Sequence, residues 1–276
     1  MLKKIKYAYQ DNTYIITAFF AAMVTMLIIY ICNGMVPFGD KTILRMDLYH
    51  QYAPLFAELY ERVIQGDSLI YSWSSGLGSC FLGNFFNYLS SPLSALIFFF
   101  GHKNITEAIA VMILLKASLS SAAFTYYAKK SIRYQSYATC AFGVLYAFCG
   151  YMLAYYWNIM WLDAMFLLPI LVYGIERIIN HGKMRTYVTV LALSMFSNYY
   201  ISFMLCIFSV IYFFYYFFTV YSSESKISAR FAQTKKGFVA SFSNNRFLRS
   251  AFIFGVGSLT AAGLMAVVLI PVYRIL

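Results

Sequence analysis

The chain has 276 residues, of which 62% are hydrophobic, 20% are aromatic and only 11% are charged, and its net charge is +11. So small a charged fraction excludes a soluble globular protein and a disordered one, and it indicates a membrane protein with several spans. The basic residues are spread over several loops and form no single face. Nucleic acid is therefore not an expected partner, whereas membrane lipid is.

Seven apolar segments approach the length of about 20 residues that a membrane-spanning helix needs. They cover residues 14–32, 105–128, 138–157, 162–179, 186–200, 201–221 and 248–273. No small-residue cleavage site follows the first segment, so it is interpreted as a retained anchor. We expect an all-α polytopic membrane protein of about seven transmembrane helices, folded as a single module over residues 1–276.

The positions of Lys and Arg predict the orientation, because these residues are retained on the cytoplasmic side of a membrane. With the amino terminus inside, fifteen of them fall in inner segments, including a basic loop at 222–247, and four fall in outer segments. A full span at 81–101 would move the basic residues of 129–133 outside. We therefore expect a re-entrant or interfacial element there, broken at Ser90-Ser91-Pro92.

The first outer loop, residues 34–104, carries five of the ten acidic residues of the chain. Within it, apolar residues from Leu48 to Val63 recur on one helical stripe, and polar residues occupy another side. This pattern predicts an amphipathic helix that lies on the membrane surface. Because proline is best tolerated in the first turn of a helix, Pro54 predicts that the regular helix begins near Ala53 and leaves residues 47–52 in a bend.

Three polar positions lie in or next to predicted spans. Lys116 is near the middle of the second span, where a bare charge costs about 2.5 to 3.5 kcal/mol, so it should face the protein interior or a water-filled cavity. Asp163, at the outer end of the fourth span, is interpreted either as a solvated acid in an aromatic interfacial belt or as a site residue. Asn198 marks the turn between the fifth and sixth spans, with a turn role favoured.

Carboxylates at the outer face of a membrane are suited to group transfer from a lipid-linked donor. Nucleotide-activated donors are made in the cytoplasm, so a transferase at the outer face needs a lipid-linked donor such as a polyprenyl-phosphate sugar. The reaction needs a carboxylate to accept a proton from the acceptor hydroxyl, and a positive group or metal to stabilise the departing phosphate. Asp47 is the candidate base, and Arg45 or Lys41 is the candidate partner of the phosphate.

Several strings of the chain resemble the bacterial YfhO membrane-protein family, and they run from the first outer loop to the sixth span. They are Pro37-Phe38-Gly39-Asp40-Lys41-Thr42, Asp47-Leu48-Tyr49-His50-Gln51-Tyr52, Tyr88-Leu89-Ser90-Ser91-Pro92, Leu114-Leu115-Lys116, Asn158-Ile159-Met160-Trp161-Leu162-Asp163 and Ser197-Asn198-Tyr199-Tyr200-Ile201. That family is similar to the GT-C glycosyltransferases, whose seven-span module has interfacial helices and an essential acid in its first outer loop. The resemblance implies transfer of a sugar from an undecaprenyl-phosphate donor to a cell-envelope polymer, such as lipoteichoic acid, at the bacterial cytoplasmic membrane.

The resemblance also favours Asp47 over Asp40 as the catalytic acid, because an acid followed by an aromatic-rich helix occurs in this loop of oligosaccharyltransferases of the same superfamily. Asp40 is kept as a second acid that binds metal or acceptor, and a divalent metal is the one candidate cofactor. The residues expected to bind substrate are Arg45, His50, Gln51, Lys116, Asn158, Trp161, Asp163, Asn198 and Tyr199.

Members of that family are usually longer, so the chain is expected to be an amino-terminal portion that lacks the carboxyl-terminal part. Two alternatives stay open. One is a transporter or flippase of lipid-linked or polymer substrates, with Lys116 and Asp163 lining the path, and the other is a non-catalytic membrane remnant. The sequence shows no internal repeat of the kind usual in transporters, which favours the transferase.

Overall fold

The computed structural model describes residues 2–74, 76–221 and 246–275, and this part of the chain is almost entirely helical. The α-helices are α1 (Leu2–Cys32), α2 (Ala53–Gln65), α3 (Phe81–Asn84), α4 (Ile97–Phe100), α5 (Ile105–Tyr127), α6 (Tyr137–Ala147), α7 (Gly150–Tyr155), α8 (Asp163–His181), α9 (Arg185–Ser197), α10 (Tyr199–Tyr215), α11 (Arg246–Leu264) and α12 (Ala266–Ile275). Short π-helical or 3-10 segments lie at Leu48–Tyr52, Phe85–Leu89, Pro92–Leu96, His102–Asn104, Ala128–Ile132, Ile159–Trp161 and Tyr216–Tyr221. The described residues contain one hairpin, β1 (Tyr71–Ser72) and β2 (Ser79–Cys80), with Tyr71 opposite Cys80. The predicted basic loop 222–247 lies outside the described residues, apart from its last two.

Six helices in the described part of the chain are long and apolar enough to cross a membrane, which supports the predicted all-α polytopic membrane class. They are Asn12–Cys32, His102–Ile132, Tyr137–Tyr155, Ile159–His181, Tyr199–Thr219 and Arg246–Leu264. The fifth predicted span, 186–200, is the helix α9, which has only 13 residues. At 1.5 Å per residue α9 is about 20 Å long, against a hydrocarbon core of about 30 Å. The last predicted span, 248–273, is divided between α11 and α12 at Met265.

We call the end of the helix bundle that carries residues 34–104 the loop end. The helix α9 stops short of it because the segment 81–100 covers its last turn. The Ser90 hydroxyl donates a hydrogen bond to the Ser197 carbonyl at 3.1 Å, and the Asn198 amide donates one to the Asn87 carbonyl at 2.7 Å. The helical structure of the segment is interrupted at Ser90 and Ser91, where the Ser-Ser-Pro string predicts a break. Its re-entrant or interfacial position stays a prediction.

The helix α5 is the centre of the bundle and packs against α1, α6 and α8. In the most apolar stretch of the span that contains α5, 72% of the residues are buried, whereas in that of α1 only 22% are buried. Small residues on α5 and its neighbours let the backbones approach closely. The Ser121 hydroxyl donates to the Ala18 carbonyl of α1 at 2.9 Å, and a Cβ atom added to Gly143 of α6 would lie 2.5 Å from the Thr125 hydroxyl of α5.

The amphipathic helix of the loop is α2, which begins at Ala53 with Pro54 in its first turn, as predicted. The prediction of a bend at 47–52 is wrong, because a π-helical turn, Leu48–Tyr52, leads directly into α2. The apolar stripe from Leu48 to Leu59 is buried, whereas Val63 is 45% exposed. The stripe therefore packs on the bundle over most of its length and leaves it in the last turn.

Candidate functional site

Lys116 and Asp163 form an ion pair inside the bundle, between α5 and α8. The Lys116 Nζ lies 2.9 Å from Asp163 Oδ1, and both side chains are 2% exposed. The ammonium group also donates a hydrogen bond to the Ile159 carbonyl at 2.8 Å. The prediction that Lys116 faces the interior is confirmed. The interpretation of Asp163 as a solvated interfacial acid is wrong, because the 3-10 turn at Ile159–Trp161 lets α8 begin within the protein.

The turn before α8 also connects the ion pair to the loop end. The buried Asn158 side chain accepts a hydrogen bond from the Tyr52 hydroxyl at 2.9 Å. The next residue, Ile159, supplies the carbonyl that Lys116 contacts. Burial raises the pKa of the Tyr52 hydroxyl, and so do the nearby Asp47 carboxylate and Tyr88. Tyr52 therefore stays protonated and donates this bond across the physiological pH range.

A second connection runs through Asn198, which lies between α9 and α10. Its side-chain oxygen accepts a hydrogen bond from the Ile201 backbone at 2.8 Å and caps α10, while its amide holds the Asn87 carbonyl. The predicted turn role of Asn198 is thus combined with a contact to the segment 81–100. Asn198 and Asp163 also line a common cavity of about 10 Å³, far too small for a sugar.

Arg45 and Asp47 lie at the rim of this network and are exposed. Between them Met46 has a φ of 46°, a backbone conformation that residues other than glycine rarely adopt. Asp47 immediately precedes the π-helical turn that carries Tyr52, and its charge acts on the Tyr52 hydroxyl. Burial raises the pKa of Tyr156, and the positive charge of Arg45 opposes that rise. Arg45 and Asp47 are therefore each close to one of the tyrosines of the loop end.

An apolar cavity of about 130 Å³ lies beside this rim. Its lining includes Met26 and Tyr30 of α1, Ile43 of the loop, Met152 of α7 and Tyr156. The Tyr30 hydroxyl donates a hydrogen bond to the Ala110 carbonyl at 2.9 Å, so its polar atom is already paired on α5. Tyr156 thus lines the apolar cavity, and its hydroxyl also feels the charge of Arg45.

The remaining predicted site residues take no part in these contacts within the described chain. Asp40 is exposed, in a turn that closes on Gly34. His50 and Gln51 line a separate cleft of about 550 Å³ beside α2. Trp161 is half-buried with its ring centroid 6.1 Å from that of Tyr155.

Tyr199 is likewise half-buried and packs against the cluster formed by Phe86, Val268 and Val272. The structure therefore brings together Lys116, Asn158, Asp163 and Asn198. It sets Arg45 and Asp47 at the edge of this group.

A divalent metal needs several ligands with oxygen or nitrogen donors. Among the described residues no group of three or more His, Cys, Asp or Glu side chains comes close enough to hold one. Asp40, the acid predicted to bind metal or acceptor, belongs to no such group among the described residues.

Sequence reasoning missed several residues of this network. Tyr52 was treated only as part of an apolar stripe, although a tyrosine that is buried usually finds a partner for its hydroxyl. Ser194 and Ser197, three residues apart on α9, both line the cavity next to Asp163. Their spacing, which places both on one side of the helix, was the available signal.

Glu176 was also missed, and it lies near the end of α8 away from the loop end. Its carboxylate accepts hydrogen bonds from Tyr127 at 3.1 Å, from Tyr212 at 2.8 Å and from Ser131. Glu176 is 3% exposed. An acid within an apolar helix predicts an internal partner by the same reasoning that applies to Lys116.

The fold and these contacts define a polytopic helical membrane protein in which a buried ion pair lies beneath a structured loop with exposed acids. The model of the family described as bacterial membrane protein YfhO matches residues 18–276. This chain therefore belongs to the YfhO family, and the predicted relation to the GT-C superfamily is consistent with that family. Neither a curated protein nor a solved structure matches the chain.

Proposed function

We propose that this protein is a glycosyltransferase that moves a sugar from a polyprenyl-phosphate donor to a cell-envelope acceptor, such as lipoteichoic acid. It acts at the outer face of the bacterial cytoplasmic membrane, with its amino terminus inside, as the distribution of Lys and Arg favours. One observation carries the proposal. The exposed guanidinium group of Arg45 and the exposed acid Asp47 follow Ile43, which lines the apolar cavity, by two and four residues. Membership of the YfhO family supports a protein of this general type.

The donor has an apolar chain, a phosphate and a sugar, and each part has a matching surface. The cavity between α1 and α7 takes the portion of the isoprenoid chain next to the phosphate. Arg45, whose charge acts on Tyr156 of the cavity lining, binds the phosphate by charge-assisted hydrogen bonds. Asp47 is two residues further along the chain, next to the sugar that the phosphate carries.

The reaction is a single displacement. The acceptor hydroxyl oxygen forms a bond to C1 of the sugar while the bond from C1 to the lipid phosphate oxygen breaks. Asp47 accepts the proton of the acceptor hydroxyl, and the lipid phosphate leaves as an anion next to Arg45. Attack opposite the leaving group inverts the configuration at C1.

The buried pair has a supporting role in this proposal. Lys116 and Asp163 are too deep to touch the donor phosphate, and the cavity beside Asp163 is closed to a sugar. Through Ile159, Asn158 and Tyr52 they fix the π-helical turn that follows Asp47. The pair is thus a positioning element and not a reacting one, which favours the transferase over a transporter with a path between these two residues.

The substitution Asp47→Asn tests the proposal. With the full chain in proteoliposomes and a polyprenyl-phosphate sugar as donor, it should lower the rate of sugar transfer by about 10²-fold or more, as expected for loss of a general base. The matched control is Asp67→Asn, which changes another exposed acid of the same loop and should leave the rate unchanged. Full transfer by the Asp47→Asn variant at normal membrane abundance would show that Asp47 is not the base. Movement of labelled donor across the bilayer without transfer would instead identify a transporter.

A further inference from the structure

We infer that one ordered water molecule occupies a built site between α8, α9 and α10, where it bridges Asp163 to Ser194 and Ser197. The cavity at this place has a volume of about 10 Å³. That is close to the smallest volume that holds one water, about 10 to 15 Å³. This inference does not depend on the proposed enzymatic function.

Three buried oxygen atoms of the residues that line the cavity have no partner among the described residues. They are Asp163 Oδ2, Ser194 Oγ and Ser197 Oγ. Asp163 Oδ1 is paired with Lys116, whose ammonium group has three N–H donors and also contacts the Ile159 carbonyl. A buried oxygen without a partner is costly, because folding removes its bonds to water. Three side chains that direct such atoms into one cavity indicate a shared polar ligand.

The two serines depart from the behaviour of four other buried hydroxyl groups in the described helices. A serine or threonine inside a helix commonly donates to the carbonyl four residues earlier. Ser118, Ser120, Thr125 and Ser209 do so, at distances between 2.7 and 3.0 Å. Ser194 and Ser197 make no such bond. Their hydroxyl groups are therefore available to a ligand in the cavity.

Charge and hydrogen-bonding capacity both favour water as this ligand. A sodium ion at the same place would put a second cation on a carboxylate that Lys116 already neutralises, within a buried region. Water is neutral, it donates to carboxylate oxygens, and it accepts hydrogen bonds from the two serine hydroxyls at the same time. Asn198 also lines the cavity, and its side-chain oxygen has a lone pair beyond the one used by the Ile201 backbone.

The bridging water joins the ion pair to the end of α9. Ser197 and Asn198 hold the segment 81–100 through Ser90 and Asn87. With the water in place, the acid of α8 and the turn between α9 and α10 form one hydrogen-bonded unit. A water in this position acts as part of the structure, as ordered internal waters do.

The direct test is a structure of the full chain in lipid nanodiscs, at a resolution that shows ordered water. We expect a density peak within hydrogen-bonding distance of Asp163 Oδ2 and both serine hydroxyls. The peak should disappear in Ser194→Val, where one methyl replaces the hydroxyl and the other fills the cavity. A wild-type map that shows other internal waters but no peak here would overturn the inference.

A solution measurement covers the case in which Ser194→Val does not fold. Ser194→Ala should lower Tm by about 3 °C or more, in line with the loss of a buried hydrogen bond, and Ser209→Ala should lower it by clearly less. Ser209 is the matched control, because it is a buried serine that bonds only its own helix. Equal shifts in the two variants would contradict the inference. Replacing sodium by choline at constant ionic strength should leave Tm unchanged, and a drop on sodium removal would identify a cation in place of water.

Discussion

The substitution Lys116→Met tests whether the buried ion pair stabilises the bundle. Methionine keeps most of the side-chain volume of lysine and removes its charge. Asp163 then remains as a carboxylate that is 1% exposed, without the ammonium group 2.9 Å away. Its oxygen atoms have no other partner in the described part of the chain. We therefore expect the variant to be strongly destabilised.

The magnitude follows from the geometry of the pair. At 2.9 Å and an effective dielectric constant of about 20, the Coulomb attraction of two unit charges is about 6 kcal/mol. Desolvation of both groups offsets part of this attraction. Removing one partner of a buried pair typically costs about 3 to 5 kcal/mol, since it leaves an uncompensated charge. For a chain of this size the corresponding fall in Tm is about 6 to 20 °C.

Thermal unfolding in nanodiscs, followed by intrinsic fluorescence, measures this change. The control is Lys130→Met, the same substitution at an exposed lysine that lies over the Tyr126 ring at 6.0 Å. The double variant Lys116→Met/Asp163→Asn carries no charge at this position and should regain most of the lost stability. If Lys116→Met unfolds at the same temperature as Lys130→Met, the ion pair does not stabilise the bundle. The same conclusion follows if adding Asp163→Asn to Lys116→Met does not raise the unfolding temperature.

Three further substitutions probe other contacts by the same unfolding assay. Tyr52→Phe removes one hydrogen bond across the bundle and should lower the free energy of unfolding by about 0.5 to 1.5 kcal/mol, whereas Tyr49→Phe, at an exposed tyrosine, should have no effect. Glu176→Leu leaves three hydroxyl groups without their acceptor and should lower the free energy of unfolding by at least about 2 kcal/mol. A decrease below about 0.5 kcal/mol would contradict the role of Glu176 as their shared acceptor. Gly143→Ala places a methyl group 2.5 Å from a hydroxyl on α5 and should lower the free energy of unfolding by about 1 to 3 kcal/mol. Gly255→Ala, at a glycine with open space around it, should not lower it.

Local rules predicted the features that depend on neighbouring residues. Proline is confined to the first turn of a helix, and α2 begins at Ala53 as Pro54 requires. The Ser-Ser-Pro string marks the break at Ser90 and Ser91. A lysine in an apolar helix must avoid lipid, and Lys116 is buried. Each of these outcomes follows from a few residues and the medium around them.

Features that depend on contacts between distant segments could not be predicted in this way. Nothing in the sequence pairs Lys116 with Asp163, which lies 47 positions later, because the pairing requires α8 to begin inside the bundle. The predicted end of the fifth span, at residue 200, lies three residues beyond the end of α9 for a similar reason. Hydropathy shows where an apolar run ends, but here α9 ends where the segment 81–100 supplies partners for Ser197 and Asn198.

The depth of the polar network decides which of its residues can react. Because the segment 81–100 covers the end of α9, the ion pair and Asn198 lie under a layer of protein at the loop end. A donor with a bulky head group can reach only the groups above that layer. Of the predicted residues next to the network, Arg45 and Asp47 are exposed, while Asn158, Asp163 and Asn198 are each at most 3% exposed. This difference in exposure supports assigning the proposed sugar transfer to Asp47, with the buried residues holding the turn that follows it.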